Sequence, residues 1–136
     1  MKFNLFGKKN ANDLVKNSPY IVATELVPYR LYANKTNSLV LFVRIKNITK
    51  DTLLTSLDLT VPSKLGLSEN LFSKQKQVKV GEILSNQEKE LRIEIFGNID
   101  TDQGEYTLNI NANAHFRDYS HIINSVTKSI LLKVIK

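Results

Sequence analysis

A chain of 136 residues with 19 Lys and Arg, 13 Asp and Glu, two His and neither Cys nor Trp fits one domain of net charge +6. At that length roughly two-thirds of the unfolded surface can be buried, so no cross-link is needed for stability. The lack of cysteine excludes disulfides, thiolate zinc sites and cysteine nucleophiles together.

The first 18 residues are polar and rich in lysine and asparagine. They read as an arm, with a short helix over Asn12–Lys16 capped by Asn10 or Asn12. Its opening, Met1–Asn10, lacks the apolar core of a secretory signal. No stretch approaches the ~18 consecutive apolar residues of a membrane span. A cytoplasmic location is therefore the expectation. Residues 1–50 hold nine basic and two acidic groups, residues 51–103 six and nine, and residues 104–136 four and two. The positive excess thus sits in the first third, where it can attract nucleic acid, an anionic membrane or an acidic partner. A solvated surface is the plainer reading of the same charges.

Seven strands are predicted within a domain over residues 19–136. Tyr20–Val27 is β-rich and closed by Pro28. Leu39–Lys46 alternates Leu39, Leu41, Val43 and Ile45 against Val40, Phe42, Arg44 and Lys46. Leu53–Val61 alternates Leu57, Leu59 and Val61 against Asp58 and Thr60. The connection Ser63–Lys76 is long for a loop, and its Leu65, Leu67, Leu71 and Phe72 are expected to cap one open end. Gln77–Leu84 contains Gly81, read as a bulge or bend. Lys89–Phe96 alternates Leu91, Ile93 and Ile95 against Arg92 and Glu94. Glu105–Phe116 gives the cleanest pattern: Tyr106, Leu108, Ile110, Ala112, Ala114 and Phe116 face inward, with Thr107, Asn109, Asn111, Asn113 and His115 on a wet face. Val126–Ile135 ends the chain. Connectors rich in Asn, Asp and Ser punctuate the strands. Seven short strands without a long amphipathic helix imply an all-β antiparallel sandwich.

The motif Asp102-x-Gly104-x-Tyr106 resembles the tyrosine corner of immunoglobulin-like domains, in which a tyrosine at the start of a strand bonds back to the preceding turn. Leu108 stands where antibody-type domains carry cysteine, so the resemblance is to the wider superfamily. Val43–Thr49, Val80–Glu88 and Gly104–Ile110, in that order, resemble prokaryotic immunoglobulin-like modules of the CARDB and NEW3 families over roughly residues 20–135. The resemblance implies a seven-stranded immunoglobulin-like sandwich, with Asp102, Gly104 and Tyr106 structural and Tyr106 a buried tether. It also implies a carbohydrate-binding or cell-surface accessory module as one reading of function.

The residues give little chemistry. His115 and His121, with Asp118 between them, offer imidazole and carboxylate to a zinc ion, but a third histidine or a cysteine is lacking and exposed histidines are the plainer reading. No serine sits in a Gly-x-Ser-x-Gly elbow, and Glu88, Glu90 and Glu94 read as a solvated strand face. Asn98, Asp100, Asp102 and Glu105 offer oxygen ligands for calcium, yet capping a turn is sufficient work for them. Asn34-Lys35-Thr36 and Asn47-Ile48-Thr49 match the glycosylation pattern, for which asparagine in loops is the plainer account. No enzyme, metal or cofactor is expected. Three asparagines in alternation cost strand preference, which makes Asn109, Asn111, Asn113 and His115 candidate binding residues, with Phe42 as an outward apolar contact. The sequence is read as a non-enzymatic protein-interaction module that uses this face or a free edge strand. The alternative is a nucleic-acid or anionic-membrane binder through the basic first third. Phe3, Leu5 and Phe6 beside Lys2, Lys8 and Lys9 would supply weak membrane contact. Nucleic acid is not the expectation, because only Arg30, Arg44 and Arg92 precede Arg117.

Overall fold

Alternation along a strand becomes two faces once one side is covered, and β3 (Asn37–Asn47) follows this rule: Leu39, Leu41, Val43 and Ile45 are buried while the residues between them are half-exposed. The computed structural model describes residues 18–136, so the expected arm and the helix over Asn12–Lys16 lie outside the described residues. The described chain is all-β. The other strands are β1 (Tyr20–Val27), β2 (Arg30–Tyr32), β4 (Leu53–Thr60), β5 (Gln75–Ile83), β6 (Glu88–Gly97), β7 (Gly104–His115) and β8 (Ile122–Ile135). Seven match the expected segments within a few residues. The eighth, β2, is too short to carry a periodic signal. No helix among the described residues is long and apolar enough to cross a membrane.

The strands form two sheets, ordered β1-β3-β6 and β2-β8-β7-β4-β5. At Pro28 the chain leaves the first sheet, since proline has no N–H to donate to a ladder. It then joins the second, where β2 runs parallel to β8 with Leu31 opposite Val134. The inner faces meet in one core that includes Leu41, Ile45, Leu57, Ile95, Leu108 and Leu132. Burying each such side chain contributes about 1.5–3 kcal/mol, and truncating one to alanine would cost about 2–5 kcal/mol.

Two local features fix the ends. Gly81 pairs with Thr55, but Ser56 pairs with Lys79, so Val80 is an extra residue and the expected bulge is present. Gly81 sits at φ 92°, a conformation that glycine adopts without penalty. In the connection between β4 and β5, Gly66 bridges Phe96, and a Cβ there would lie 2.5 Å from the Leu71 backbone. Only glycine allows this approach. Leu65 and Leu71 are buried beneath the connection as expected, but Phe72 points into solvent.

At the opposite pole Asn47 is fully buried. Its amide donates to the carbonyls of Asp51 (2.7 Å) and Ile83 (2.8 Å), and its Oδ1 accepts from the Thr49 N–H and hydroxyl. This saturation joins the β3–β4 and β5–β6 turns. The "N-x-T" pattern at this position therefore serves the fold.

Candidate functional site

The outer face of the five-stranded sheet carries a polar array drawn from three strands. Register sets Ser56, Asp58 and Thr60 of β4 opposite Asn113, Asn111 and Asn109 of β7. On the other side of β7, Ser125, Thr127 and Ser129 of β8 face the same asparagines. Each asparagine Oδ1 accepts from its β8 neighbour: Ser125 to Asn113 at 2.7 Å, Thr127 to Asn111 at 2.6 Å, and Ser129 to Asn109 at 2.9 Å. Asparagine thus recovers through cross-strand pairing part of what it lacks in strand preference. The sequence signal for these partners was their own alternation, Ser56-x-Asp58-x-Thr60 and Ser125-x-Thr127-x-Ser129, which needs the pairing register before it acquires meaning.

The array is not uniformly wet, and this corrects the reading from the sequence. Asn109 is exposed and Asn111 half-exposed, but Asn113 is 3 % and His115 4 % exposed. The turn after β7 folds back over them. Tyr119 packs edge-on to the His115 ring at 5.1 Å, and its hydroxyl accepts the Gly81 N–H at 3.0 Å. Alternation correctly assigns the faces but cannot show that a later turn covers one of them. The covered end is tightly bonded. Asn113 donates to Asp58 (2.8 Å) and Ser56 (3.3 Å), and Ser56 Oγ lies 2.7 Å from His115 Nε2. The open end borders a cleft of about 550 Å³ lined by Asp58, Thr60, Gln75, Gln77 and Asn111 among others.

The remaining candidates separate. Phe42 lies on the outer face of the three-stranded sheet, half-buried between Glu25 and Arg92, with the Arg92 guanidinium 5.3 Å from its ring centre. It is far from free. Tyr106 donates to the Asp102 carbonyl at 2.8 Å, but the side chain is half-buried and not fully buried as expected. Asp102 also meets Asn34 and Lys64, while Asn98 Oδ1 accepts the Asp100 N–H, so these groups have turn-building partners. Glu88 and Glu90 pair with Arg44 and Arg92 on the exposed strand face. His121 contacts Asp118 at 3.0 Å on the surface while His115 is buried against Ser56. Among the described residues no cluster of three or more His, Asp or Glu is arranged to hold a metal ion.

The inward assignment of Phe116 also fails: it is 53 % exposed, because β7 ends at His115 and the chain turns outward. It belongs to a feature that no single strand pattern announces. Twelve large apolar residues are exposed among those described, and six of them, Ile21, Ile48, Leu84, Phe116, Ile122 and Ile123, lie at the pole where β1 and β8 begin and β3, β5 and β7 end. The turns carrying Ile48 and Leu84 are bonded together through Ser85 and Thr49. A second cleft of about 450 Å³ opens at this pole, between Leu53 and Leu54 on one side and Phe116, Arg117 and Ile123 on the other, with Asp51 and Glu82 also lining it.

No protein-family model and no curated protein matches the chain. Solved structures do. Spo0M, a sporulation control protein from Bacillus subtilis, is 14 % identical with a TM-score of 0.50; the match covers 88 % of this chain and 50 % of that one. The chain thus spans about half the length of Spo0M, and the likeness is one of fold. An ASH/PapD-like domain of human CEP192 matches over 87 % of both chains at 12 % identity and a TM-score of 0.40.

Proposed function

We propose that the chain is a non-catalytic protein-interaction module on an immunoglobulin-like sandwich, and that its partner docks on the apolar pole. The observation that carries this reading is the gathering there of half of the exposed large apolar residues. Exposed apolar side chains gathered at one place are costly to keep in water and characteristically mark contact sites. The two-sheet order and the Tyr106–Asp102 bond support the immunoglobulin-like description, and kinship with CARDB- and NEW3-like modules is a proposal on the same grounds. The non-catalytic part is supported by burial: Ser56, the serine bonded to a buried histidine among the described residues, is itself fully buried.

The asparagine face is the weaker contact surface, because hydroxyls of β8 already occupy the side-chain oxygens of its asparagines. Photo-crosslinkers placed at Ile122 and at Asn111 in native extract separate the two surfaces. Adducts are expected from Ile122 and should vanish when Phe116→Glu and Ile123→Glu are added. Adducts from Asn111 alone would sink the proposal.

One observation favours a second reading, contact with a polyanion. Arg30 lies over both Tyr29 (5.0 Å) and Tyr32 (4.5 Å), Lys35 approaches Tyr32 at 5.4 Å, and Lys133 is paired with Arg30 across the sheet. Retention on heparin that falls steeply with salt and is lost in Arg30→Ala would favour it. Salt-independent behaviour would remove it.

A further inference from the structure

We infer that the cleft at the apolar pole is a peptide-recognition pocket: it takes an apolar side chain of the partner and offers the Nδ1–H of His115 to a main-chain carbonyl of the same segment. The inference rests on the reading of the pole as the docking surface.

His115 lines the cleft with its ring almost wholly buried, and its Nδ1 is the one buried side-chain nitrogen or oxygen among the described residues that has no hydrogen-bond partner. Buried polar atoms are nearly always paired, and one left alone costs about 1–3 kcal/mol, so it calls for an explanation. The chemistry of the missing partner follows from the neighbours. A carboxylate only accepts, so Asp58 fixes the NH₂ of Asn113 towards itself, 2.8 Å away. The same NH₂ donates to Ser56 Oγ at 3.3 Å. Ser56 is fully buried, and among the described residues the acceptor its own hydrogen meets is His115 Nε2 at 2.7 Å. Keeping that buried hydrogen paired assigns Nε2 as the acceptor and places the ring hydrogen on Nδ1. The chain Asp58–Asn113–Ser56 makes the unpaired atom a donor, and a ligand must bring an acceptor.

The walls and rim narrow the ligand. Leu53, Leu54, Phe116 and Ile123 suit an aliphatic or aromatic side chain. At the rim Asp51 and Glu82 outnumber Arg117, whose guanidinium already lies 4.9 Å from the centre of the Phe116 ring. That balance opposes a free carboxylate and favours a neutral carbonyl, the acceptor that every peptide carries. Nδ1 is buried and Tyr119 of the turn after β7 packs edge-on to its ring, so a ligand reaches it as that turn yields. Arg117, at φ 69°, holds a conformation uncommon for a side chain of its size, which marks the place where the turn would give.

The test uses N-acetyl-leucinamide as the probe, titrated into full-length protein labelled at methyl groups and imidazole nitrogens. We expect saturable shifts at Leu53, Leu54 and Ile123, a Kd of a few millimolar as befits a fragment of this size, and a shift of the His115 Nδ1–H resonance. N-acetyl-leucine, which ends in a carboxylate, should bind several-fold more weakly. His115→Phe should weaken the amide probe about fivefold or more, and Ser56→Ala should do so by freeing the tautomer. Each variant is first checked for native methyl dispersion, and the imidazole shift in the unsubstituted protein needs no variant. No saturation at about 50 mM probe, methyl shifts without an imidazole shift, or an Nδ1 held by an ordered water that the probe leaves in place would each overturn the inference. If crosslinking at Ile122 persists in any of these cases, the pole remains a docking surface and only the His115 contact falls.

Discussion

The hydroxyl of Tyr106 donates to the main-chain carbonyl of Asp102 at 2.8 Å, tying the first inward residue of β7 to the turn that precedes it. The same turn is held from the other side. Thr101, fully buried, donates to the Lys64 carbonyl at 2.7 Å and accepts the Asn98 N–H at 2.9 Å, and the Asn34 side chain donates to the Ile99 carbonyl at 3.1 Å. Tyr106→Phe removes one bond of several and keeps the ring packed. It should lower stability by about 1 kcal/mol, read from chemical denaturation with an unchanged denaturant slope. A loss beyond about 3 kcal/mol would mean that the tether organises the turn alone.

The asparagine array predicts a gradient along one strand. Asn109 is exposed, and water can replace its bond from Ser129, so Asn109→Ala should change stability by no more than about 0.5 kcal/mol. Asn113 is buried and bonds Asp58, Ser56 and Ser125; its loss strands groups that water cannot reach. Asn113→Ala should cost about 2–3 kcal/mol. Equal effects at the two positions would contradict the covering of β7 by the Tyr119 turn.

That gradient also shows what the sequence made legible. Local periodicity was enough to place seven strands and the inward faces of β3 and β7, because each depends on residues two apart, and a single glycine marked the bulge at Gly81. The burial of His115 depends on Tyr119 and Ser56, four and 59 positions away, and no periodic signal spans such gaps. The buried role of Asn47 was hidden for the same reason: its partners Ile83 and Gln87 lie on either side of another turn. The apolar pole was hidden more thoroughly. Ile21, Ile48, Leu84 and Ile123 each look like ordinary exposed residues, and only the meeting of strand ends brings them to one pole.

Tyr20 gives a prediction for alkaline solution. Its hydroxyl lies 2.7 Å from Thr55 Oγ1 within the core, and burial raises its pKa above the ordinary 10.0, the bond with Thr55 opposing the shift in part. The unfolded chain then releases this proton before the folded one does. Stability is therefore full below pH 10 and falls as the pH rises from there through the folded value. Tyr20→Phe should abolish that portion of the decline while costing about 1 kcal/mol at neutral pH, since Thr55 keeps its bond to the Leu53 carbonyl at 3.1 Å. If the melting temperatures of the two proteins fall in parallel above pH 10, Tyr20 is not the group responsible.

Asp118 predicts the acid response of the turn that seals His115. Its carboxylate accepts from the Ser120 hydroxyl, from His121 and from the Ser120 N–H, and these bonds, the hydroxyl foremost, lower its pKa from 3.8 to about 2. The folded turn therefore binds its proton later than the unfolded chain does. Its contribution is intact above about pH 4 and is lost as the pH falls towards 2. Because the group is fully exposed, the effect should be local. Amide exchange at Ser120 and His121 should quicken between pH 4 and pH 2, after correction for the intrinsic rate, while Leu41 and Leu108 in the core stay protected. Asp118→Asn should show the fast exchange at all pH values. Since Tyr119 sits between these bonds and its ring lies against His115, the same acid step should loosen the cover over the pole cleft. Unchanged corrected exchange at Ser120 across this range would show that the turn is held by Tyr119 and Gly81 instead.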